Sequence, residues 1–140
     1  QLSPDRTRAF IVTRRASVAT DTNHYEIQLL HLSPERLAER RVPAPEVVFA
    51  FDSGSDPSYV DPAIQQVRWW GDRSLVFMGR LKDGYQQLYR LDLPTRELIP
   101  LTHEETPIVS FAASRDLRRL VYAIQVPNPP MKDGEHHIVM

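Results

Sequence analysis

A turn followed by an apolar strand recurs three times along this chain, and that recurrence limits the available folds more than any other feature of the sequence. Ser3-Pro4-Asp5-Arg6-Thr7-Arg8-Ala9-Phe10-Ile11 aligns without a gap with Ser114-Arg115-Asp116-Leu117-Arg118-Arg119-Leu120-Val121-Tyr122. Gly71-Asp72-Arg73-Ser74-Leu75-Val76-Phe77 fits the same pattern with one deletion. Each polar turn leads into a run rich in β-branched and aromatic residues: Ala9 to Val12, Leu75 to Met78 and Leu120 to Ala123. Such runs favour the pleated, half-buried environment of a strand. Self-similarity of this kind marks an architecture in which equivalent units bury one another's faces.

The repeat continues downstream. Tyr25 to Leu32 and Tyr85 to Leu93 both alternate in polarity, and aligning them from their tyrosines equates the two segments. A short strand follows, Glu97 to Thr102 in the second unit and a looser Arg41-Val42-Pro43 in the first. Upstream of the second and third turns, Val67-Arg68-Trp69 and Val109-Ser110-Phe111 place an apolar and an aromatic residue on one face of a strand. Each unit therefore reads as four short strands, A to D, and Phe77 and Tyr122 lie about 45 residues apart, within the roughly 40–50 residues of a propeller blade.

The expected fold class is all-β, an incomplete β-propeller of four-stranded antiparallel blades with about two and a half blades present. Blade 1 covers about residues 1–43, an inserted loop 44–61, blade 2 about 62–106 and a partial blade 3 about 107–140. Ser33-Pro34-Glu35 carries helix-start signals, so a two-turn helix competes there with a C–D turn. The chain opens inside an A–B turn and stops at His136-His137-Ile138-Val139-Met140, where strand C should begin. Closed propellers need about four to eight blades. The chain is thus expected to be part of a longer protein, its open sheet edges able to associate with other strands.

Charge and composition exclude several functions. Lys and Arg number 17 against 18 Asp and Glu, so no basic excess exists to neutralise a phosphate backbone, and nucleic acid is not the expected partner. The longest apolar run, Val47 to Phe51, is far short of the roughly 20 residues of a membrane-spanning helix. Cysteine is absent, which removes thiol nucleophiles and thiolate metal sites and leaves the compartment open. No Gly-x-Ser-x-Gly turn is present, and Asp52-Ser53-Gly54-Ser55-Asp56 reads as a polar surface loop. His103-Glu104-Glu105-Thr106 lacks the second histidine of a helical zinc site, and His136 and His137 point to opposite faces of a strand. No metal, cofactor or catalytic residue is assigned.

Binding is expected where the long connections gather. In a four-stranded blade the B–C and D–A connections emerge together, and here they are Thr13–His24, Leu81–Gly84, Pro127–Gly134, Ala44–Asp61 and His103–Thr106. Loops of varied length on a rigid scaffold are the usual seat of recognition. Arg14, Arg15, Asp52, Asp56, Glu104 and Glu105 supply their charge, and Arg14, Arg15, Glu104 and Glu105 are the candidate substrate-binding residues. Adjacent carboxylates at a loop tip suit a peptide amino group. The aromatics Trp69, Phe77, Tyr85, Tyr89, Phe111 and Tyr122 recur at repeat positions and are expected to fill space between blades, with Trp70 facing the other way at a blade edge.

The turn Ser3-Pro4-Asp5, with Arg6 in place of the usual glycine, and its counterpart Ser114-Arg115-Asp116-Leu117 resemble those in the N-terminal propeller of prolyl-oligopeptidase-type serine peptidases. Thr13-Arg14-Arg15-Ala16 running to Asn23-His24-Tyr25, then Tyr59-Val60-Asp61-Pro62, Asp83-Gly84 and Leu101-Thr102-His103, is similar to the subgroup of bacterial lasso peptide isopeptidases. The resemblance implies a parent enzyme that hydrolyses peptide or isopeptide bonds through a Ser-His-Asp triad on a separate α/β-hydrolase domain. It implies a peptide substrate and that hydrolase domain as partners, no cofactor, and a bacterial cytoplasmic or periplasmic setting. This portion would then select and gate substrates without breaking bonds. Two other classes compete: a non-enzymatic propeller for protein binding, of WD or periplasmic type, and a small β-sheet protein that closes its edges by oligomerising.

Overall fold

A computed structural model describes residues 1–38, 44–54, 62–81, 84–114 and 116–126. Within them the chain is all-β apart from one short helix, and its strands form antiparallel sheets. The first sheet contains β1 (Arg8–Ser17), β2 (Thr22–His31) and β3 (Glu46–Gly54). The second contains β4 (Ile64–Trp70), β5 (Ser74–Gly79), β6 (Gln87–Asp92) and β7 (Leu98–Pro100). The third pairs β8 (Ile108–Ala113) with β9 (Leu120–Ile124). In every sheet, spatial order follows chain order. The helix, α1 (Pro34–Ala38), forms where Ser33, Pro34 and Glu35 signal a start.

The repeated turn is one hydrogen-bond motif built twice. Ser3 Oγ donates to Asp5 Oδ1 at 2.6 Å, Asp5 Oδ1 accepts from Thr7 N at 3.0 Å, and Arg8 N donates to Ser3 Oγ at 2.9 Å. Before β9, Ser114 Oγ donates to Asp116 Oδ1 at 2.5 Å, Arg118 N to the same oxygen at 3.2 Å, and Arg119 N to Ser114 Oγ at 2.9 Å. In each turn the carboxylate takes two donors and the serine hydroxyl a third, which explains why both turns need Ser and Asp two residues apart. Arg6 and Leu117 take φ of 60° and 56° there, a left-handed conformation that a side chain makes costly.

The middle sheet is covered on both faces. β5 is buried along its whole length, and its alternate residues serve different cores. Leu75 and Phe77 pack with Phe10, Tyr25, Ile27, Leu29 and Val48 of the first sheet, while Val76 and Met78 pack with Leu88 and with Ile108 and Phe111 of the third. A strand buried on both sides reads as a continuous apolar run, and Leu75-Val76-Phe77-Met78 is one. Polar links tie the first two sheets. Tyr25 Oη accepts from Ala63 N at 3.1 Å, Trp69 Nε1 donates to Gln1 O at 3.2 Å, and the Arg8 guanidinium lies 5.4 Å above the Trp69 ring while donating to Asp72 O.

The structure corrects the sequence reading in several places. Residues 44–61 are not simply a loop, because β3 occupies Glu46–Gly54 and forms the third strand of the first sheet. Its run Val47-Val48-Phe49-Ala50-Phe51 has the β-branched and aromatic content of a strand, and a bulge beside Ile27 and Gln28 turns Val48 into the core alongside Phe49. The expected long connection Thr13–His24 is mostly strand, since β1 and β2 stay paired out to Ser17 and Thr22. Val109 is 50% exposed and Ile108 takes the buried place beside Phe111, because a bulge between Ile108 and Ser110 shifts the alternation. The tyrosine alignment slips by one: Leu32 N donates to Thr7 O as Leu93 N does to Arg73 O, which equates Tyr25 with Gln86. Trp70 does not stand free at an edge, being packed with Leu120 against the second core. Arg41–Pro43, Pro127–Gly134, His136–Met140 and Asp56 lie outside the described residues.

Candidate functional site

Glu104 sits in a loop whose shape is set by one glutamine. After β7 the chain leaves through Leu101 and the buried Thr102. Thr102 Oγ1 accepts from Leu88 N at 2.9 Å and donates to Gln87 Oε1 at 2.9 Å. Gln87 then holds Glu104 by both backbone groups, Oε1 accepting from Glu104 N at 2.8 Å and Nε2 donating to Glu104 O at 2.9 Å. The Glu104 carboxylate reaches the third sheet, where Tyr122 Oη donates to its Oε1 at 2.5 Å. That bond to a carboxylate raises the Tyr122 pKa above its ordinary 10.0. Glu105 is exposed beside it.

This loop borders a hollow of about 540 Å3 at the end of the middle sheet. Leu81, Tyr85, Tyr89, Leu98 and Pro100 make its apolar wall, and Gln87, Thr102, His103 and Glu104 its polar rim. Tyr89 is half-buried against Phe77, and burial pushes its hydroxyl above the ordinary value. The wall thus combines two tyrosine rings with aliphatic surface, while the rim is fixed by hydrogen bonds.

Arg14 and Arg15 stand on β1 near the β1–β2 turn and are exposed. Topology puts that turn at the same end of its sheet as the Glu104 loop is of the next. Among the described residues no hydrogen bond or ion pair joins Arg14 or Arg15 to Glu104 or Glu105. Arg15 instead lies across from His24, and Glu26 is held below its ordinary pKa chiefly by bonds from Gln28 and His24, with the Arg15 charge a lesser contribution.

A polar cluster on the first sheet escaped the sequence reading. His24 Nδ1 lies 2.7 Å from Asp52 Oδ1 and Nε2 lies 3.2 Å from Glu26 Oε1. Asp52 is therefore a cross-strand partner on β3, not a free loop charge. The bonds to Asp52 and Glu26 raise the His24 pKa above its ordinary 6.5, since both ring nitrogens donate in the imidazolium. On the same edge Glu46 accepts from His31 and from Arg96, fastening β3 to the β6–β7 turn. These contacts join residues 15 to 50 positions apart, and no local pattern marks them. Gln87 was equally invisible, a polar residue in an alternating strand whose partners lie beyond the next strand. Among the described residues no group of three His, Asp or Glu side chains could hold a metal ion.

The residues thus form antiparallel sheets with a hollow at the end of the middle one, rimmed by Gln87, Thr102, His103 and Glu104. No family model and no curated protein matches the chain. Among solved structures it is similar to a puromycin-hydrolyzing peptidase of Mycobacterium tuberculosis, with a TM-score of 0.59 and 16% sequence identity. The likeness covers 87% of this chain and 18% of that one. At that identity it is a likeness of fold alone.

Proposed function

We propose that this chain is the non-catalytic propeller portion of a prolyl-oligopeptidase-type serine peptidase, acting in substrate selection and gating. The supporting observation is the strand complement together with the covered middle sheet. Three, four and two strands in chain order correspond to strands B to D of one blade, A to D of the next and A to B of a third. On this reading blade 1 extends through β3, blade 2 covers about 62–106, and blade 3 begins near 107. The fold likeness to a peptidase over 87% of the chain adds support.

Chemistry in such an enzyme would reside on an α/β-hydrolase domain of the same protein, and this portion would restrict which peptides reach it. Arg14, Arg15, Glu104 and Glu105 are the residues assigned to contact with substrate. The narrower reading is a lasso peptide isopeptidase. Labelling of the intact protein with a fluorophosphonate, followed by hydrolysis assays on linear, isopeptide-linked and lasso peptides, tests both levels. Labelling with cleavage of linear peptides alone would support the peptidase and remove the isopeptidase. Neither labelling nor cleavage would leave the non-enzymatic protein-binding propeller.

A further inference from the structure

The hollow beside Gln87 has features that the core and the turns do not require. At about 540 Å3 it falls within the roughly 300–1,000 Å3 of ligand clefts. Its wall carries Tyr85 and Tyr89, whose faces suit another ring, with Leu81 and Leu98 beside them. Tyr85 is 48% exposed, which leaves much of its ring open to the hollow's side of the surface. The rim is preorganised: Gln87 grips both backbone groups of Glu104, and Tyr122 holds its carboxylate from the far side. Among the described residues no Lys or Arg pairs with Glu104, on the rim, or with Glu105 next to it.

We propose that the hollow holds an aromatic side chain of an extended peptide, while the Lys or Arg that follows it in that peptide lies on Glu104 and Glu105. The ring is buried against Tyr85, Tyr89 and Leu98, and the cation lies against the two carboxylates. Recognition is of two neighbouring side chains and needs no free amino terminus. The inference rests on the selection role above only in taking a peptide as the ligand.

The test uses the intact protein and an N-acetylated Gly-Phe-Lys-Gly peptide carrying a C-terminal fluorophore, with affinity read by anisotropy. Acetylation removes the terminal amine, so the lysine is the peptide's cation. Replacing the peptide's Phe by Ala should weaken binding at least about tenfold, as loss of a buried ring does. Replacing its Lys by Gln should weaken binding about three- to fivefold, the scale of an exposed ion pair. Glu104→Gln keeps an oxygen for Tyr122 but removes the charge, and should abolish most of the preference for Lys over Gln. Pro100→Trp fills the exposed wall and should bring the Phe peptide down to the affinity of the Ala peptide. Unfolding midpoints equal to the parent's would show that each variant is folded, and the peptide series on the unsubstituted protein decides the matter if one is not. Equal affinity for the Phe and Ala peptides, or an unchanged Lys preference in Glu104→Gln, overturns the proposal. Binding as expected in a protein that cleaves no peptide would sink the peptidase reading alone, whereas cleavage without this binding pattern would sink the hollow alone.

Discussion

Replacing Phe77 by alanine probes the stacking of the first two sheets at its centre. Phe77 is 0% exposed, its ring lies 5.8 Å from that of Phe49 on β3 and 5.9 Å from that of Tyr89 on β6. Removing the ring forfeits about 1.5–3 kcal/mol of transfer free energy. The neighbours come from two sheets and can close the gap only partly, so the cavity raises the total to about 3–5 kcal/mol. A domain holding roughly 5–15 kcal/mol would lose a large fraction of its stability. Urea unfolding, followed by the fluorescence of Trp69 and Trp70, measures it. Gly79 sharpens the test, because a Cβ there would stand 3.0 Å from the Phe77 ring and 3.1 Å from that of Tyr89. Gly79→Ala should therefore destabilise the parent, and a good part of that penalty should vanish when Phe77 is already alanine. A Phe77→Ala effect below about 0.5 kcal/mol would place the ring at the surface and refute the stacked arrangement. Additivity of the two substitutions would refute the contact.

Other expectations follow from the turns and the polar clusters. Arg6→Gly should raise the thermal midpoint, since relief of a left-handed residue is worth about 1–2 kcal/mol against roughly 0.4–1 kcal/mol of added chain entropy. Leu117→Gly should gain less, because the Leu117 side chain also packs beside Gly71. Asp5 is held at about 2, below its ordinary 3.8, chiefly by the Ser3 hydroxyl and the Thr7 amide. Its stabilisation is thus fully present above about pH 4 and lost as pH falls towards 2, and Asp5→Asn should erase that acid limb in pH-dependent unfolding. His24 runs the other way: its raised pKa gives stability that is present below about 6.5 and fades as pH rises through the folded value, and Asp52→Asn should move its NMR titration down. Gln87→Leu should speed hydrogen exchange at the Glu104 amide, and an unchanged rate would show that the loop does not depend on that side chain.

The strand class and the two Ser-x-Asp turns were legible from the sequence because each depends on neighbours a few residues apart. An apolar run buried on both faces, as at Leu75 to Met78, and a serine two positions from an aspartate carry their own signals. The inward face of β8 was not legible, since a single extra residue in a bulge reverses every side chain beyond it and leaves no compositional trace. Nor was the tyrosine register, because Tyr25 lies inside β2 whereas Tyr85 precedes β6. β3 was not legible for a different reason. Val47 to Phe51 carry a strand signal, but the neighbouring prolines and serines carry a loop signal, and only pairing with β2 decides between them.

For the candidate site, Glu104 was picked out as a charge at a loop end, and nothing local indicated that Gln87 and Tyr122 would hold it. Tertiary structure alone decided that His24 would meet Asp52 and that a hollow would open beside Tyr85 and Tyr89. Turn chemistry and polarity alternation act over a few residues and are written in the chain itself. A hydrogen bond or cavity between residues from different strands exists only once sheets have stacked, and its partners are chosen by register and packing, which no short stretch of sequence contains.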